Sequence, residues 1–140
     1  VACYVCDFPS AALIGQPGVV ALPHLGASTP ESEENCAVMA AEELKDYLLN
    51  GNIHNSVNLP DVELPRVGGN RICVLHRNIP GMLSGITSAI SDASLNIENL
   101  VNKGRGEIAY TMLDVTGDVT EETIASIQAQ EEVIRVRVIR

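Results

Sequence analysis

The chain has 140 residues, the size of one domain or of one small domain with part of another. Hydrophobic residues make up 46% and charged residues 19%, enough apolar material for a core, so disorder is excluded by composition. Eighteen acidic against nine basic residues leave a net charge of −9, and only Tyr4, Phe8, Tyr47 and Tyr110 are aromatic, which excludes a cationic nucleic-acid footprint and a base-stacking surface.

Val1–Phe8 is short and apolar and reads as a buried, parallel-type strand. Residues 9–18 read as loop, and Gly18–Pro23 as a second buried strand ended by Pro23. Residues 8–30 hold no Asp, Glu, Lys or Arg, but Pro9, Pro17, Pro23 and Pro30 with Gly15, Gly18 and Gly26 cut this stretch into pieces too short to cross a bilayer. No cationic segment precedes an apolar one, so a secretory signal is not expected. The chain begins at Val1, which suggests a piece of a longer polypeptide.

Thr29-Pro30-Glu31 predicts a helix start, with Thr29 as N-cap, Pro30 at the first helical position, and Glu31, Glu33 and Glu34 near the positive end of the helix dipole. Ala37, Ala41, Leu44 and Leu48 recur at helical spacing, and Gly51 supplies the stop. Pro60, Pro65, Gly68 and Gly69 then cluster where the charge changes. Residues 1–65 carry nine acids and only Lys45 as a cation, whereas residues 66–140 carry nine acids and eight cations. We therefore expect two domains, 1–65 and 66–140, with Gly68-Gly69 as a hinge or an ordinary loop.

Beyond that boundary Arg71–His76 alternates as a strand. Asn78-Ile79-Pro80-Gly81 opens a helix with Leu83, Ile86 and Ile90 on its apolar face. Asn96–Val101 and Glu107–Val115 read as strands joined by a turn at Gly104–Gly106. Thr120 caps a helix carrying Ile124 and Ile127. Val133–Ile139 is a final strand, with Val133, Arg135, Arg137 and Ile139 on one face and Ile134, Val136 and Val138 on the other. The order βαββαβ is the ferredoxin-like split βαβ pattern.

The four cysteines, Cys3, Cys6, Cys36 and Cys73, include one lone C-x-x-C without the further ligands a zinc site needs. They read as reduced, small core residues, which favours a cytosolic protein, and no metal is expected.

Two stretches now resemble one known family. Pro23-His24-Leu25-Gly26-Ala27-Ser28-Thr29, followed by Pro30–Asn35, resembles the signature near the end of the nucleotide-binding domain of D-2-hydroxyacid dehydrogenases. Asn58-Leu59-Pro60, Gly68-Gly69 and His76–Gly81 resemble the C-terminus of the D-3-phosphoglycerate dehydrogenase branch, which ends in an ACT regulatory domain. The resemblance implies a mixed fold class: the α/β remnant of a Rossmann-type dinucleotide domain with a linking helix, then an α+β ferredoxin-like ACT domain. It also implies NAD as cofactor of the intact enzyme, oxidation of 3-phosphoglycerate at the start of serine biosynthesis, L-serine as effector and self-association through the ACT domain. No Gly-x-Gly-x-x-Gly occurs, so the pyrophosphate-binding turn is absent and this chain alone is expected to be inactive. An ACT sensor without catalysis, or a dehydrogenase of another 2-hydroxy acid, are the rival readings.

For individual residues the resemblance makes His24 the catalytic acid/base and places Asp7, His24, Gly26 and Ala27 against the cofactor. An imidazole suits proton transfer near neutral pH; the residues by themselves also allow a loop histidine that caps backbone, a capping Asp7 and a plain turn at Gly26-Ala27. The family's orienting Glu, a few residues beyond Asp7, is missing: no acid follows Asp7 until Glu31. His76, Asn78 and Asn96 are implied to bind the serine effector across a dimer interface. By pattern they are expected at one end of the ACT sheet, beside helix-start N–H groups that favour a carboxylate. Read singly, they are a strand-end histidine, an N-cap and a strand-entry turn. His54 and Glu31–Glu34 are assigned no chemistry.

Overall fold

The computed structural model describes residues 2–140. The chain divides into two compact units, Val1–Ala41 and Glu42–Arg140.

In the first unit, β1 (Tyr4–Cys6) pairs in parallel with β2 (Val19–Ala21), Tyr4 opposite Val19 and Cys6 opposite Ala21. Both were expected to be buried. They are not: Tyr4, Val5 and Val20 are 53%, 57% and 44% exposed, because among the described residues these two three-residue strands pair only with each other. Helix α1 (Pro30–Asn50) starts where the cap predicts, with Ser32 N donating to Thr29 Oγ1 at 3.2 Å. The division between the units falls inside this helix.

The second unit contains the βαββαβ pattern. β3 (Asn70–Arg77), α2 (Met82–Asp92), β4 (Asn96–Arg105), β5 (Ile108–Thr116), α3 (Glu121–Gln128) and β6 (Val133–Ile139) form an antiparallel sheet of order β4-β5-β3-β6. Thr120 caps α3 by accepting from Thr123 N. One face of the sheet packs on α2 and α3 through Ile72, Val74, Leu113 and Val115 against Ile86, Ile90 and Ile127. Met82 and Ala89 share the buried face of α2, while Leu83, expected there, is 37% exposed. Strict alternation also fails in β6. A bulge opposite Leu75 and His76 sets Leu75 against Arg135 but His76 against Val133. The extra residue, Ile134, is 47% exposed, and Val133 packs with Val136 and Val138 on the helix side.

The other sheet face has its own core of Cys73, Tyr110, Met112 and Ile139, covered by Ile53 and Val62, which bridge each other, and by Tyr47, Leu59 and Leu64. Residues 42–65 therefore pack with the ACT-type unit, and the units do not divide at the expected 65/66 boundary. Charge composition marked that boundary, but it does not report packing. Backbone carbonyls explain the attachment. Arg137 donates to the carbonyls of Tyr47 and Leu48, Arg66 to Leu49 (3.0 Å), Arg71 to Asn50 (2.7 Å), and the Tyr110 hydroxyl to Gly51 (2.9 Å). Leu48, Leu49 and Asn50 are among the carbonyls an α-helix leaves unpaired at its C-terminus, where cations also suit the dipole, while Tyr47 O also accepts from Gly51 N at 3.0 Å and Gly51 lies just past the helix. Gly51 has φ +79°, and a Cβ there would stand 2.7 Å from Cys73 Sγ, so both conformation and close approach require glycine.

Arg71 is fully buried. It holds Asp114 in a two-pronged pair (2.6 and 2.8 Å) and also donates to Leu64 O and Pro65 O. Gly68 and Gly69 adopt positive φ, but Arg66 and Arg71 tie the chain on both sides of them into one packed body, so rotation there would break these bonds. The predicted apolar stripe of α1 is not its packed face. Leu44 and Leu48 are 58% and 52% exposed, while Asp46, Tyr47 and Asn50 are half-buried. Of the four cysteines, all free, only Cys73 is buried as expected; Cys3 and Cys36 are exposed.

Candidate functional site

In the first unit the parallel pairing puts the ends of β1 and β2 side by side, since Leu22 N donates to Cys6 O at 3.0 Å. Asp7 and His24, each just beyond a strand end, therefore meet: His24 Nδ1 lies 2.9 Å from Asp7 Oδ2. Phe8 stands edge-on to the imidazole at 5.2 Å between centroids. A carboxylate at Nδ1 keeps the proton on that nitrogen and leaves Nε2 to accept one. Asp7 thus meets His24 from the neighbouring strand end. The sequence resemblance places Asp7 only on the cofactor side, and the signal for this contact is the parallel strand pair. Gly26 and Ala27 form a turn closed by Ser28 N to Leu25 O (3.0 Å), with Ser32 Oγ 3.4 Å from Gly26 O.

In the second unit His76 and Asn78 lie together at the end of β3. His76 is 2% exposed, its Nδ1 2.8 Å from Arg77 O and its Nε2 2.8 Å from Thr111 Oγ1, which contacts Asn102 Oδ1 at 2.9 Å. Both ring nitrogens are therefore engaged. Asn78 is exposed. It does not cap α2; its Nδ2 donates to Gly106 O at 3.0 Å and its backbone N to Glu107 O at 2.8 Å. The N-terminus of α2 begins after Gly81, with no side-chain cap. An open groove here is lined by Arg77, Asn78, Ile79, Gly106, Glu107 and Glu132, and Arg77 pairs with Glu107 at 3.0 Å.

Asn96 is elsewhere. It pairs with Thr116, whereas His76 pairs with Ala109, seven residues away along β5, a separation of about 24 Å. The expectation that all three share one sheet end fails within a single chain. β3 and β4 both run antiparallel to β5, so the start of β4 lies beside the start of β3 and not beside its end. Asn96 Nδ2 donates to Glu98 Oε1 at 2.8 Å and is exposed.

One cluster carries no signal in the sequence. Asp46 accepts from Asn50 (2.6 Å) and Asn52 (3.1 Å) and contacts His54 Nε2 at 3.0 Å. The Asn50 hydrogen bond, opposed by burial and joined by those of Asn52 and His54, holds its carboxyl below the usual range. Burial pushes the Cys73 thiol up, so it is not a poised nucleophile. Among the described residues no three His, Cys, Asp or Glu side chains gather as a metal site, and no helix is long and apolar enough to cross a membrane.

The second unit has the strand order and helix placement of an ACT domain, and residues 72–135 match the family described as the AHAS small subunit-like ACT domain. The chain is also 32% identical over 123 residues to D-3-phosphoglycerate dehydrogenase of Escherichia coli, covering 86% of this chain and 30% of that protein. It is 35% identical over 109 residues to D-3-phosphoglycerate dehydrogenase 2 of Saccharomyces cerevisiae, covering 74% of this chain and 23% of that protein. Among solved structures, it is similar to the ACT domain from GTP pyrophosphokinase of Chlorobium tepidum at 20% identity and TM-score 0.45, covering 50% of this chain and 95% of that one. The chain is thus a relative of the D-3-phosphoglycerate dehydrogenases that carries an ACT domain, and it spans about 30% of the length of the bacterial relative.

Proposed function

We propose that this chain corresponds to the C-terminal portion of an NAD-dependent D-3-phosphoglycerate dehydrogenase, with an ACT domain that binds L-serine as feedback effector. The observation that carries the reading is the extent of the similarity: 86% of the chain necessarily includes His24 as well as His76, Asn78 and Asn96. Residues before α1 then belong to the dinucleotide-binding region. His24 Nε2 takes the proton of the substrate hydroxyl as general base, while Asp7 holds the ring and stabilises the imidazolium that forms. Bound nicotinamide would accept the hydride. Asp7, His24, Gly26 and Ala27 fit the nicotinamide side of such a site at the carboxyl ends of parallel strands. With no glycine-rich phosphate-binding turn, they cannot hold the dinucleotide by themselves, so the chain alone is inactive. The cytoplasm is the compartment this reading implies.

In the effector site, Asn78 and the uncapped start of α2 offer an amide and backbone N–H groups to an amino acid. His76 reaches the ligand by exchanging Thr111 for the serine hydroxyl. Because Asn96 lies at the far end of its own sheet, the Asn96 in such a site is supplied by a second copy of the chain, which makes self-association part of binding. Titration of the chain with L-serine tests this. Asn96→Ala should weaken binding about 10- to 150-fold, and L-alanine, without the hydroxyl, should bind more weakly than serine. Equal affinities for serine and alanine, or an unchanged Asn96→Ala, would reject the site. For the dehydrogenase, His24→Ala in the full-length protein should lower kcat by about 10²- to 10⁴-fold on 3-phosphoglycerate.

A further inference from the structure

We infer that the β4–β5 turn is a coupling joint, in which Arg105 transmits the state of the Asn78 site to the segment that closes the end of α1. The inference rests on the amino-acid-effector reading and adds to it a route by which binding is felt elsewhere in the unit.

The turn is short. Arg105 stands opposite Ile108, so only Gly106 and Glu107 connect the strands, with Gly106 at φ +59°. Asn78 holds one side of it. Its amide bonds Gly106 O and its backbone bonds Glu107 O, and a Cβ added to Gly104 would lie 2.7 Å from Asn78 Nδ2. A ligand that takes the Asn78 N–H now given to Gly106 O displaces that carbonyl, and a two-residue turn has little slack to absorb the change.

Arg105 holds the other side. Its Nη1 donates to Ser56 O at 2.6 Å and to Leu59 O at 3.2 Å. These carbonyls belong to one tight loop, closed by Leu59 N donating to Ser56 Oγ at 3.1 Å. The loop joins Ile53 to Val62, which exchange backbone hydrogen bonds of 2.8 and 2.9 Å. From Ile53 the chain runs back through Asn52, held by Asp46, to Gly51 and the carbonyls at the end of α1. One exposed guanidinium thus joins the turn that Asn78 grips to the loop that leads to the helix.

The test is amide hydrogen exchange at Ile53 and Val62 in the 140-residue chain, with and without L-serine, in wild type and Arg105→Gln. Serine should change exchange at these amides about fivefold or more in wild type. In Arg105→Gln, whose shorter neutral amide does not replace the guanidinium, serine still binds by calorimetry but the change is lost, and Arg105→Lys, which keeps a charged donor group on a long side chain, restores part of it. A ligand-free arm uses Asn78→Ala in both backgrounds. Its effect on Ile53 and Val62 exchange should be large only where Arg105 is present. Serine binding to wild type without a change at Ile53 and Val62 overturns the joint and leaves the effector reading intact. Absence of serine binding overturns the effector reading instead, and the ligand-free arm then decides the joint: equal Asn78→Ala effects in both backgrounds reject it.

Discussion

The two compact units treat apolar residues in opposite ways. Residues 2–41 leave Tyr4, Val5, Phe8, Leu22 and Leu25 between 48% and 83% exposed, while residues 42–140 bury both faces of their sheet. The local sequences are equally hydrophobic strand formers. What differs is the number of neighbours, since a strand buries its side chains only when other strands and layers stand beside and over it. The same contrast runs through the electrostatics. The Asp7–His24 pair is open to water, whereas Arg71–Asp114 is sealed.

The largest effect should come from opening that sealed pair. Arg71→Ala leaves Asp114 buried without its partner and also frees Asn50 O, Leu64 O and Pro65 O, so it should cost about 3–5 kcal/mol in urea unfolding followed by circular dichroism. A loss under about 1 kcal/mol would mean that the segment before β3 is not held as described. Next, Gly51→Ala forces an alanine into positive φ against Cys73 and should cost about 3 kcal/mol. A cost no greater than that of an exposed Gly→Ala change would show that the end of α1 can lift away from the sheet.

The third expectation concerns acid. Asp46 has its folded-state pKa depressed, mainly by the Asn50 hydrogen bond. Its contribution is therefore full above the unfolded value of about 3.9 and is lost as pH falls through the lower folded value. Asp46→Asn should be less stable than wild type at pH 7, with the gap closing at low pH; a gap independent of pH would sink this account. The smallest change should be Asp7→Asn. The pair is 61% and 57% exposed, and such pairs contribute at most about 1 kcal/mol, so stability should barely move. A large destabilisation would contradict the contrast between the units.

Several features were legible because they depend on a few neighbouring residues. The start of α1 follows from Thr29-Pro30-Glu31, the cap of α3 from Thr120, and the βαββαβ order from periods of two and 3.6. Placement in space was harder to read. Asn96 was put beside His76 because both flank α2 in the sequence, yet the crossover returns the chain to the opposite sheet end. The face of α1 was misjudged because its packed side is chosen by hydrogen bonds of Asp46, Asn50 and the Tyr47 carbonyl, which hydrophobic periodicity does not register.

By itself, then, the sequence determined the element types, the helix caps, the ferredoxin-like order and the residues whose chemistry suits an acid/base and an amide site. All of these follow from local backbone preference and side-chain spacing. Tertiary structure alone decided that Asp7 meets His24, that residues 42–65 close the second face of the sheet, and that arginines from β3, β6 and the segment before β3 end α1. Each of these joins groups far apart in the chain, and their partners are backbone carbonyls or strand ends that carry no residue-specific mark in the sequence.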